Sequence, residues 1–86
     1  MKKNPERKVK LKYTSTGDGL IIQGENDEAT FLNIAAARIW ELCDGRNSVE
    51  EIARIIAADF YTDFETVKAD VVTFVEKLRS KGFLKE

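Results

Sequence analysis

Between Leu32 and Gly45 the chain reads Leu-Asn-Ile-Ala-Ala-Ala-Arg-Ile-Trp-Glu-Leu-Cys-Asp-Gly, a helix with both of its ends marked. Asn33 has the side chain of an N-cap, able to accept a hydrogen bond from the first free amides. Ala35, Ala36, Ile39, Leu42 and Cys43 fall on one apolar stripe at helical spacing, with Trp40 at its margin. Gly45 can take the left-handed conformation that ends a helix. A stripe on one side obliges the flanking sequence to supply the rest of a core.

The sequence before this helix reads as β. Val9, Leu11 and Tyr13 alternate with Lys8, Lys10 and Lys12, the period of a strand with one wet face. Gly17-Asp18-Gly19 marks a turn, Leu20 to Gln23 a second strand, and Gly24-Glu25-Asn26-Asp27 a second turn. A third strand, Glu28 to Leu32, runs into the Asn33 cap, so an antiparallel meander is predicted. After the helix, Ser48-Val49-Glu50-Glu51 has the capping-box form, followed by a stripe of Val49, Ile52, Ala53, Ile56 and Phe60. Asp63 can cap a third helix from Phe64, and Gly82 sits where it should stop. Its apolar residues, Phe64, Val67, Val71, Val72, Phe74, Val75 and Leu78, spread wider than one stripe needs, leaving some to line a groove. The expected fold class is α+β, a three-stranded antiparallel sheet followed by three helices, winged-helix-like in type.

Eighty-six residues make one domain, and 43% apolar residues suffice for a single core. No apolar run approaches the roughly 20 residues that span a bilayer. The start, Met1-Lys2-Lys3-Asn4-Pro5-Glu6-Arg7, lacks the apolar segment of a signal peptide. One cysteine cannot form an internal disulfide, and a cytoplasmic location without membrane partners is the simplest expectation. Charge is uneven: residues 1–13 carry +5 and residues 14–63 carry −7. Residues 1–7 are expected to form a flexible basic arm.

An enzyme is not expected. Without histidine the chain lacks the commonest general base and a frequent metal ligand. Cys43, on the apolar side of its helix, reads as a buried structural thiol. Glu50 and Glu51 are explained by the capping box, and Asp59 and Asp63 by a helix end and a cap. No glycine run forms a phosphate loop, metal-ligand spacing is absent, and no cofactor is implied. Trp40, Phe31 and Phe74 could stack bases, although aromatics at these spacings are first of all core. What remains is an interaction surface: a sheet edge has unpaired backbone donors and acceptors to which a peptide can add as a strand.

In order and spacing, several signals resemble the PqqD-like family, the RiPP recognition elements: Leu32-Asn33, Leu42-Cys43-Asp44-Gly45, Ser48-Val49-Glu50-Glu51-Ile52, Asp70-Val71 and Lys81-Gly82-Phe83-Leu84. The likeness runs from about Lys8 to Leu84. It implies a non-catalytic protein whose partners are a precursor (leader) peptide and a radical S-adenosylmethionine or other peptide-modifying enzyme. It also implies that the leader lies as an added strand on Glu28, Ala29, Thr30, Phe31 and Leu32. Val67, Val71, Phe74, Val75 and Leu78 are then candidate groove residues, with Asp70 and Lys81 as polar neighbours. Ala35 stands where the family often has Thr or Ser. The proline that members serving pyrroloquinoline quinone synthesis tend to carry before the third strand is missing, which implies a relative serving some other peptide pathway.

The rival reading is a winged-helix nucleic-acid-binding protein using the basic arm. Against it, Lys68, Lys77, Arg79 and Lys81 are balanced by Glu65, Asp70 and Glu76 to a net of only +1 on the candidate recognition helix. The turn Tyr61-Thr62-Asp63 also lacks the glycine common in helix-turn-helix units.

Overall fold

The computed structural model describes residues 4–8, 11–24 and 28–85. Three strands, β1 (Lys12–Thr16), β2 (Gly19–Gln23) and β3 (Ala29–Asn33), precede three helices, α1 (Ile34–Leu42), α2 (Val49–Phe60) and α3 (Phe64–Ser80). The sheet is antiparallel throughout, in the order β1-β2-β3, so the α+β architecture is as expected.

Strand alternation decides which face is buried. Leu20, Ile22 and Leu32 point into the core, and their neighbours Ile21 and Phe31 stand exposed on the opposite face. The helices close that core with Ile39, Trp40 and Cys43 from α1, Ile52, Ala53 and Ile56 from α2, and Val67, Val71, Val75 and Leu78 from α3. Each helix starts at its expected cap. Asn33 accepts from the Ala36 amide at 2.8 Å, Asp63 from the Thr66 amide at 3.0 Å, and Ser48 and Glu51 exchange the two bonds of a capping box at 3.1 and 2.8 Å. Such caps contribute about 1 kcal/mol each.

Several expectations are corrected. β1 begins only at Lys12; Leu11 packs against the core just ahead of it, while Val9 and Lys10 lie outside the described residues, as do Met1, Lys2, Lys3 and the turn residues Glu25, Asn26 and Asp27. α1 stops at Leu42, where the Cys43 amide turns back to the Trp40 carbonyl at 3.1 Å. Gly45, with φ +83°, serves the loop beyond, in which the Asp44 carboxylate accepts from the Arg46 and Asn47 amides at 2.9 and 3.3 Å. Those bonds, that of Arg46 foremost, hold the Asp44 carboxyl below its usual range. Phe60, placed on the α2 stripe by its spacing, is exposed at the helix end. Trp40, placed at the margin of its stripe, is buried, with Tyr13 edge-on at 5.1 Å between ring centroids, and is no stacking platform.

Of the expected flexible basic arm at residues 1–7, residues 1–3 lie outside the described residues. Residues 4–8 are a strap bound across the end of α1 and the C-terminal segment. Pro5 is buried. The Arg7 amide donates to the Cys43 carbonyl at 2.9 Å and the Gly45 amide to the Pro5 carbonyl at 3.0 Å. On the other side the Lys85 amide reaches Glu6 at 2.8 Å and the Lys8 amide reaches Phe83 at 3.0 Å. Backbone groups left open by a helix end and a terminal segment need partners, and the strap supplies them.

Candidate functional site

Among the described residues β3 has β2 on one side only, so its other edge carries backbone groups that no described strand pairs. The hydrogen-bond phase tells which residues own them. The Gly24 amide donates to the Glu28 carbonyl at 2.9 Å, closing the β2–β3 turn. In the same register Ile22 faces Thr30 and Leu20 faces Leu32. Antiparallel pairs alternate between bonded and non-bonded. The N–H and C=O groups of Thr30 and Leu32 therefore point to β2, and those of Ala29 and Phe31 point outward.

Beside this edge runs the C-terminal half of α3. Phe74, Lys77, Leu78 and Lys81 recur at helical spacing and share a wall of a groove with Thr30, Phe31, Leu32, Asn33 and Ala36. The groove encloses about 240 Å³. Leu32 and Leu78, both buried, belong equally to the core, while Phe31 is 54% exposed. At one end Lys81 Nζ lies 3.7 Å from Glu28 Oε1.

Of the residues predicted for the site, Thr30, Phe31, Leu32, Phe74, Leu78 and Lys81 line this groove. Glu28 reaches it through Lys81, and Ala29 is exposed at the strand edge. Val67, Val71 and Val75 do not line it: they are buried at 8%, 0% and 3% exposure, on the side of α3 that packs into the core. Asp70 is exposed and outside the lining. Sequence reasoning missed Asn33, Ala36 and Lys77. The spacing from Phe74 to Lys77 and Lys81 was the available signal for Lys77, whereas Asn33 reads only as a cap.

A larger hollow of about 570 Å³ lies between the β1–β2 hairpin and α1, lined in part by Arg7, Tyr13, Ser15, Ile34, Arg38 and Trp40. Its two guanidiniums are already engaged. Arg7 donates to the Trp40 and Glu41 carbonyls, and Arg38 pairs with Asp59 at 3.3 Å.

Burial pushes the Cys43 thiol up to about 12, with the nearby Arg7 charge opposing only in part, so the thiol is neutral at ordinary pH. Among the described residues no three His, Cys, Asp or Glu side chains gather as a metal site, and no helix is long and apolar enough to cross a membrane. An edge strand thus lies beside a groove, on a sheet that precedes its three helices. Residues 19–84 match the family described as Coenzyme PQQ synthesis protein D (PqqD).

This chain belongs to the PqqD family.

A relative from Bradyrhizobium diazoefficiens, the PqqA binding protein, is 30% identical over 80 residues, covering 93% of this chain and 77% of that protein. Among solved structures, TbiB1 in complex with the TbiA(beta) leader peptide superposes with a TM-score of 0.81 at 23% identity, over 93% of this chain and 94% of that one. The PqqD truncation of Methylobacterium extorquens PqqCD, a stand-alone RiPP recognition element, gives 0.79 at 21% identity over 95% and 88%. At these identities the two structures establish the PqqD-type fold of the chain.

Proposed function

We propose that this PqqD-family chain is a non-catalytic recognition element. It takes the leader of a ribosomally made precursor peptide as an added strand on β3 and presents it to a modifying enzyme, a radical S-adenosylmethionine protein being the type expected. The observation that carries this reading is the free edge of β3 lying directly beside the groove of Phe74, Leu78 and Ala36. A relative named for binding PqqA, and a similar fold solved with a leader peptide, support it.

An incoming strand would bond to Ala29 and Phe31 through the main chain, each bond stabilising by about 0.5–1.5 kcal/mol net. Because side chains alternate, one set of the peptide's side chains would enter the groove and the other would lie beside Phe31 and Ile21 on the open face. The groove then selects by shape while the backbone supplies affinity. Held this way, the attached core peptide reaches the enzyme at a raised effective concentration. The nucleic-acid reading loses the described part of its arm, since Arg7 is committed to the carbonyls of Trp40 and Glu41.

An NMR titration with a synthetic leader, from a precursor encoded beside the gene, tests the proposal. Amide shifts centred on Ala29, Phe31 and the groove face of α3 are expected. No shift at large peptide excess would remove the recognition role for that peptide.

A further inference from the structure

Among its described lining residues the groove beside β3 carries charge of one sign: Lys77 and Lys81 sit one helical turn apart, and none of the others is a carboxylate. Lys81 already holds a carboxylate from this chain: Glu28 Oε1 is 3.7 Å away, on a side chain that is 70% exposed. The pair shows Lys81 within reach of a carboxylate that lies outside the groove lining. Lys77 has no ion-pair partner among the described residues. Phe74, half-buried beside Lys77, offers only apolar surface to an incoming side chain.

We propose, resting on the reading of this groove as the leader site, that it takes an acidic peptide. The extended segment would carry a carboxylate between Lys77 and Lys81 and an apolar side chain against Phe74. One carboxylate reaching two ammoniums gains where a single exposed pair gains little, and complementary charge fixes register and speeds encounter more than it adds affinity. Glu28 competes for Lys81. Its removal frees that ammonium for the peptide, so Glu28→Gln tightens an acidic peptide by about twofold, within the range of exposed pairs.

The test is a selection of short random peptides displayed on phage, run in parallel on the whole chain and on a Lys77→Glu/Lys81→Glu variant whose fold is checked by circular dichroism. Peptides whose binding is lost on Phe31→Glu are the ones scored. Enrichment of Asp or Glu beside an apolar residue on the native chain, replaced by Lys or Arg on the reversed variant, is the expected result. Phe31-dependent peptides with no charge preference on either protein would overturn the acidic specificity and leave strand addition standing. Failure to recover any Phe31-dependent peptide would remove both.

Discussion

The Arg7 guanidinium carbon lies 5.1 Å above the centre of the Trp40 ring, and the same side chain donates to the Trp40 carbonyl at 3.1 Å. A cation over an indole, bonded to the last carbonyls of α1, joins the strap to the core at the negative end of the helix dipole. Arg7→Ala is expected to lower stability by about 1–2 kcal/mol through the lost stacking and hydrogen bonds. Arg7→Lys should recover only part, because an ammonium cannot reproduce the planar fork. Urea denaturation midpoints of the three proteins check this, and an unchanged midpoint in Arg7→Ala would mean the strap adds nothing there.

Phe31 and Val71 were both sequence-level candidates for the peptide site, and the structure separates them. Phe31→Glu changes a half-exposed side chain on an edge strand, so melting should move little while leader affinity falls by about tenfold or more. Val71→Asp places a charge at a position with 0% exposure and should unfold the domain, since an unpaired buried charge costs several kcal/mol. Thermal melts alongside peptide titration distinguish the two effects.

Gly45 holds φ +83°, and a Cβ there would come within 2.7 Å of Glu6 Oε1. That carboxylate of Glu6 also binds Lys85, through Oε2 at 2.8 Å. Gly45→Ala therefore strains the backbone and disturbs the strap, for an expected loss of roughly 1–2 kcal/mol. A melting temperature equal to that of the parent chain would contradict the assigned turn.

Cys43 supplies a pH signature. Its thiol is raised from 9.0 to about 12 by burial, so below pH 9 both folded and unfolded chains keep the proton and the thiol contributes no slope. Above that, the unfolded chain releases the proton first, and stability falls as pH rises toward the folded value. The urea midpoint should drop between pH 9 and about 12 more steeply in the native chain than in Cys43→Ala, measured on the same buffers. Parallel slopes would place the thiol in contact with water.

The caps at Asn33, Ser48 and Asp63 were legible in the sequence because capping is a contact across three residues, readable wherever the chain goes. In β2 the run Leu20-Ile21-Ile22 is apolar throughout, and the fold decides that Leu20 and Ile22 are buried while Ile21 is exposed. The family resemblance pointed to β3 and α3 as the candidate site. It could not divide the apolar residues of α3, because Val71 and Phe74 are equally apolar and only the direction from which β3 approaches decides which is core and which is groove. The strap at residues 4–8 was illegible for the same reason: its partners, Cys43, Phe83 and Lys85, lie far along the chain, and Arg7 reads as part of an exposed arm until the fold brings the Trp40 and Glu41 carbonyls to it. Local chemistry thus determined where each helix begins, whereas Tyr13, which alternation set on a strand face opposite the lysines, is 59% exposed in the fold. Tertiary packing decided which surfaces remain open to a peptide, since exposure belongs to the assembled fold and to no residue by itself.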